Sequence, residues 1–243
     1  MIARITIAGG IWILAAYGQP PGRGGPPPTP KAAALYDLTG YWVSVVTEDW
    51  RHRMVTPPKG DYTGIVLNPA GRKIADAWDP AKDEAAGEQC KSYGAPGIMR
   101  VPGRLHITWA DDQTLKIEAD NGQQTRILHF DSTESKGGDW QGFSKANWEL
   151  IPAGRGAPPA GSLKVVTTRL RPGYLRKNGI PYSASATLTE YLDRVDEPDG
   201  VAYLVVTTTV EDSAYLALPY LTASHYRKEA DGSKWKPRAC AAK

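Results

Sequence analysis

The chain has 243 residues, with 29 Lys and Arg against 26 Asp and Glu, 25 Gly, 20 Pro and two Cys. A formal charge of +3 is too balanced for a dedicated nucleic-acid binder, which carries a basic stripe and a more extreme pI. Two cysteines exclude a disulfide-dense miniprotein and a four-cysteine zinc module, and the length suits one β-rich domain or two small ones.

Residues 1–18 read as an export signal. Arg4 supplies a positive start, residues 5–16 (ITIAGGIWILAA) form a short apolar run, and Ala16 and Gly18 place small residues where a signal peptidase reads. That run is about 12 residues, against the ~20 that span a bilayer. A retained N-terminal anchor is the alternative. Residues 19–34 (QPPGRGGPPPTPKAAA) are too rich in Pro and Gly to bury apolar surface, and read as a disordered linker. Residues 35–243 remain as a single folded domain, periplasmic or extracellular, with no membrane span once the signal is cleaved.

From there short alternating runs follow one another. Residues 39–48, 104–109, 114–119 and 124–130 are strand-like, the last three as a meander, with Asn121-Gly122 between two of them as a hairpin turn. Residues 139–150, 162–170, 185–194, 201–211 and 221–228 continue the pattern, and Asp196-Glu197-Pro198-Asp199-Gly200 supplies a further turn. The expectation is a mostly β, antiparallel barrel of about 8–10 strands, because closure removes the edges that two small sheets would expose. One short helix is expected after the first strand. Asn68 caps it, Pro69 opens it, and Ile74, Ala75 and Trp78 share a face. In an oxidising compartment the even cysteine count predicts a Cys90–Cys240 disulfide, the alternative being two buried thiols.

The densest cluster of reactive side chains is residues 48–62 (EDWRHRMVTPPKGDY). At a barrel mouth, Arg51 and its neighbours would pair with an anion while Trp50 stacks on a ring. A solvated connection capping the barrel is the alternative. The four histidines, His52, His106, His129 and His225, show none of the tight spacings that announce a metal site, so no metal and no cofactor are expected. Strand parity puts Thr125, Ile127 and His129 on one face and Arg126, Leu128 and Phe130 on the other. Glu190 shares a face with Leu188 and Leu192, hence points inward and needs a cation, for which Arg169 in the preceding strand is the candidate. Catalytic candidates are therefore Glu190, Arg169, His129 and His106. The alternative for the carboxylate is a structural ion pair.

Leu188-Thr189-Glu190-Tyr191 with Arg194, then residues 203–211 (YLVVTTTVE), Asp212, Tyr215, Pro219 and Tyr226-Arg227 resemble a pattern of uncharacterised secreted bacterial lipocalin-like (calycin-type) barrels. Gly40-Tyr41-Trp42 is an altered form of the lipocalin Gly-x-Trp. The resemblance implies a barrel that holds an apolar or amphipathic small molecule in its mouth, and some relatives are isomerases or cyclases. Eight Trp and twelve Tyr against two Phe suit such a pocket, since these rings carry a polar tip. Candidate ligand-binding residues are Trp50, Arg51, His52, Trp109, His129 and Tyr191. The expectation is an exported protein binding a small apolar or aromatic molecule. An acid–base enzyme on the same scaffold and a structural envelope protein are the alternatives. Nucleic acid is not expected as a partner, and nothing in the residues sets an oligomeric state.

Overall fold

A computed structural model describes residues 26–131, 137–152, 154, 156 and 159–243. The expected signal segment, residues 1–18, lies outside the described residues. The described residues hold eleven strands: β1 (Gly40–Val45), β2 (Arg104–Trp109), β3 (Thr114–Ala119), β4 (Gln124–His129), β5 (Phe143–Ile151), β6 (Ala160–Thr168), β7 (Gly173–Arg176), β8 (Ile180–Tyr182), β9 (Thr187–Asp196), β10 (Ala202–Glu211) and β11 (Tyr220–Glu229). Nine of them close a barrel in the order β1-β11-β10-β9-β6-β5-β4-β3-β2, and β7 pairs with β8 as a separate hairpin. All neighbours are antiparallel except β4 and β5, which run parallel over Leu128↔Ser144 and His129↔Lys145.

Period-two alternation decides what faces inward. Trp42, Ile107, Leu115, Leu128, Leu163, Val165, Leu188, Leu192, Leu204, Val206 and Tyr226 are all within 1% of complete burial. All but Leu188 belong to one apolar cluster at the barrel centre, and Leu188 belongs to a second cluster under the helical end. Each such aliphatic side chain contributes roughly 1.5–3 kcal/mol on burial, so the centre is held by its own side chains.

The two barrel ends are covered differently. At the end where β1 begins, Tyr36, Trp109, Phe130 and Trp148 pack on the core, with the Tyr36 and Trp148 rings edge-to-face at 5.2 Å. Part of the stretch assigned to the linker lies against this end, where Trp148 Nε1 donates to Pro30 O at 3.1 Å and Lys31 N to Asp112 O at 3.2 Å. The other end lies under the long β1–β2 connection and the β7–β8 hairpin. That connection holds α1 (Trp50–Met54), α2 (Pro69–Asp76), α3 (Pro80–Ala85), a 3-10 turn (Lys91–Tyr93) and α4 (Ala95–Ile98). Several short helices thus replace the single expected one. At four to six residues, α1, α3 and α4 are too short to show a helical period, and they persist through tertiary packing.

Local chemistry explains most boundaries. Asn68 Oδ1 accepts from Gly71 N at 2.9 Å and Pro69 sits at the first turn of α2, as expected. The buried face of α2 is Gly71 and Ala75, while Ile74 is 37% exposed. β5 starts at Phe143 rather than at 139 because Asp139 Oδ1 accepts from Gln141 N and Gly142 N, folding residues 139–142 into a turn. In the β3–β4 turn the positive φ angles fall on Gly122 (91°) and Gln123 (49°), one residue later than an Asn121-Gly122 hairpin would place them. Gly122 is required on two counts, since a Cβ there would also lie 2.2 Å from the Tyr93 ring. Cys90 and Cys240 form the expected disulfide. No helix among the described residues is long and apolar enough to cross a membrane.

Candidate functional site: a cationic cleft at the helical end of the barrel

α1 begins immediately beyond β1 and lays its buried face on residues 97–102, which precede β2. That places Arg53, only 8% exposed, beside Arg100, only 7% exposed. Arg53 Nε donates to Arg100 O at 2.9 Å, and its Nη1 is ion-paired with Glu48. Arg100 Nη2 donates to Asp49 Oδ2 at 2.9 Å. Arg176, only 6% exposed, arrives from the end of β7 and donates from Nη1 to Thr63 O at 2.7 Å. The Arg100 and Arg176 guanidinium carbons each lie 5.9 Å from the centre of the same ring, that of Tyr220.

These side chains wall a cleft of about 300 Å³ that also includes His52, Met54, Val55, Leu175, Lys177 and Arg238. Among the described residues its charged lining is wholly cationic, with no Asp or Glu in it. Arg53 Nη2, Arg100 Nη1, Arg176 Nε and His52 Nδ1 are buried without a hydrogen-bond partner among the described residues. Leaving such a donor unpaired costs about 1–3 kcal/mol, more where it is charged. Burial lowers the pKa of Arg53, and Arg100 beside it acts in the same direction against the pull of Glu48. Glu48 is held below the usual carboxylate range. Burial works against this, but the Thr47 hydroxyl, Arg53 and His225 outweigh it.

The tail completes the wall. Gly122 N donates to Arg238 O and Arg238 N to Asp120 O, both at 2.8 Å, beside the Cys90–Cys240 disulfide. Lys177 stands over the Tyr93 ring at 4.6 Å. A concave site walled by several guanidinium groups, with surplus positive charge, is suited chemically to an oxyanion, phosphate or carboxylate, which guanidinium groups meet with paired hydrogen bonds.

The residues singled out from sequence fall in several places. His52 lines the cleft, its Nε2 3.6 Å from Asp61 Oδ2. Trp50 (60% exposed) and Arg51 lie on the outer side of α1. Trp109 belongs to the aromatic cover at the opposite end. His129 stacks on Phe143 on the outer wall, and Tyr191 lies outside under Lys164. His106 also faces out, 3.2 Å from Glu118 and stacked on Tyr41. Glu190 is fully buried, as parity requires, but its partner is Arg126 and not Arg169. Arg126 Nη1 and Nη2 meet the two carboxylate oxygens at 3.0 and 2.5 Å. Arg126 Nη2 also reaches Thr167 Oγ1 at 3.4 Å, and Ser144 and Thr167 share a hydrogen bond of 2.7 Å. Arg169 sits at the exposed turn after β6 with φ 56°. The four catalytic candidates are therefore not brought together.

Arg53, Arg100, Arg176, Lys177 and Arg238 were absent from the sequence-based candidates. They come from four separate segments, and only the β1–β2 density of charge around residues 48–62 pointed toward any of them. Among the described residues no group of three His, Cys, Asp or Glu side chains stands close enough to hold a metal. No protein-family model matches the chain, and neither does any curated protein or solved structure.

Proposed function

We propose that this is an exported small-molecule-binding protein whose ligand carries an anionic group and occupies the cationic cleft. The observation that carries the reading is the set of buried, unpartnered N–H groups on Arg53, Arg100 and Arg176 around a cleft without carboxylates. The Cys90–Cys240 disulfide supports export to an oxidising compartment. The closed nine-strand barrel is compatible with a lipocalin-like fold. The apolar or aromatic ligand that such a scaffold suggests is replaced in this reading by an anion. The reason is that the barrel centre is occupied by its own side chains, whereas the helical end offers unsatisfied donors.

Calorimetric titration with inorganic phosphate and with acetate tests this. One saturable anion site is expected, weakened about 10- to 100-fold by Arg100→Met, since a hydrogen bond to a charged group is worth ~1.5–3 kcal/mol. Absence of saturable binding at millimolar anion would overturn it. His52 beside Asp61 favours a second reading, in which the imidazole does acid–base chemistry on the bound anion. In that case His52→Asn would abolish turnover of a phosphate ester while leaving phosphate binding intact.

A further inference from the structure

A second hollow of about 290 Å³ adjoins the cleft, and Pro102, Asn121 and Arg238 wall both. Its far side carries Arg104 and Lys236. Arg104 is already committed, its Nε 2.8 Å from Glu229 Oε2. The buried Asp120 is committed too, accepting from Arg104 N at 2.7 Å. The Lys236 ammonium and the Arg238 guanidinium, by contrast, have no carboxylate partner among the described residues. Two backbone hydrogen bonds flanking Arg238 and the nearby disulfide hold this segment as a fixed bridge between the hollows.

We infer that the cleft and this hollow form one groove for an elongated anion with two anionic groups. One group sits on Arg53, Arg100 and Arg176, and the second beside Lys236, with Arg238 between them. The ligand class is a compact polar molecule bearing two phosphate or carboxylate groups. This rests on the anion reading of the cleft and goes further by giving the ligand a second charge and a direction. Asp120 disfavours a second anionic group deep in the hollow, so that group belongs at the outer rim, where Lys236 is exposed.

Fructose 6-phosphate and fructose 1,6-bisphosphate are suitable probes, since they share one skeleton and differ in the second phosphate. Calorimetry at about 0.15 M salt, where the screening length is ~8 Å, suppresses attraction from distant charges. The wild-type protein is expected to bind the bisphosphate at least tenfold tighter. Lys236→Ala should remove most of that preference while leaving the monophosphate affinity unchanged, and Lys164→Ala on the outer wall should alter neither. Equal affinity for the two sugars in the wild type, with Arg100→Met still weakening both, overturns the two-site groove and leaves the cleft reading standing. A bisphosphate preference that survives Lys236→Ala and Arg238→Ala also overturns it. Failure of both sugars to bind overturns the cleft reading itself.

Discussion

The ion pair inside the barrel makes the sharpest stability prediction. Arg126 and Glu190 are 2% and 0% exposed, joined by two hydrogen bonds across the lumen from β4 to β9. Glu190→Gln keeps the shape and removes the counter-charge, leaving a buried guanidinium without compensation. Breaking a buried pair from one side costs about 3–5 kcal/mol. For a domain of this size each kcal/mol lowers Tm by about 2–4 °C, so a fall of about 6–20 °C is expected for Glu190→Gln and again for Arg126→Met. The double variant Arg126→Met, Glu190→Leu removes both charges and fills the lumen with apolar atoms. It should recover to within about 1 kcal/mol of the wild type or exceed it. Urea denaturation followed by tryptophan fluorescence gives the three values, and phosphate titration of each variant gives a second readout. Because neither residue lines the cleft, anion affinity should be unchanged in every variant that folds. A loss below 1 kcal/mol for Glu190→Gln with an unchanged m value would refute the reasoning, since it would mean the pair is solvated. A loss in the double equal to the sum of the two single losses would refute the coupling.

Three further outcomes follow from the same structure. Replacing both Cys90 and Cys240 with Ser opens a loop with a sequence separation of 150. The chain-entropy model sets that at about 5 kcal/mol, so a loss of about 2–5 kcal/mol in urea denaturation is expected; a loss under 1 kcal/mol would show that the tail is held by other contacts. Glu48, held below its ordinary value of 4.5, contributes stability that is full above the unfolded value and is lost as pH falls through the depressed folded value. Acid denaturation of the wild type should therefore steepen below about pH 4.5, and Glu48→Gln should flatten that slope; parallel curves for the two proteins would remove Glu48 from the account. Gly122→Ala puts a Cβ 2.2 Å from the Tyr93 ring at φ 91°, a strain of about 2–5 kcal/mol from the backbone and the overlap together. Thermal melts measure it, and a neutral result would mean that the turn can shift.

The barrel was legible because a period of two needs only the chain itself. Parity alone turned Glu190 inward, and the same rule put Arg126 on the face of the buried Leu128. What parity lacks is the distance across the lumen. β4 and β9 are not neighbours in the sheet, so no strand register connects Arg126 to Glu190, and the adjacent strand β6 offered Arg169 as a nearer but false partner. The β7–β8 hairpin escaped notice for a related reason. Its strands of four and three residues are too short to alternate, and they are defined by packing under α2 and α4. The disulfide was legible from cysteine count and compartment, although its consequence, Arg238 fixed at the cleft, was not.

A barrel filled by its own side chains leaves its ends as the places where a cleft can form. Eight or nine strands enclose a space that side chains can fill, and here Trp42, Tyr226 and a belt of Leu and Val do so. A rigid, self-supporting barrel then holds loops and tail as a frame. The β1–β2 connection contributes Arg53 and Arg100, the β7–β8 hairpin Arg176 and Lys177, and the tail Arg238. Segments so far apart in sequence meet only in the folded state, so their mutual repulsion is a cost that folding alone must carry. Glu48 and Asp49 offset part of it through Arg53 and Arg100. The remaining unpartnered donors are energetically unfavourable, and under the proposed function an anion would turn that cost into contacts. An anion that binds only the folded chain shifts its stability by about 2.7 kcal/mol at a hundred times its Kd. On the proposed function, the strain left in the cleft and its affinity for an anion would be two aspects of the same uncompensated charge.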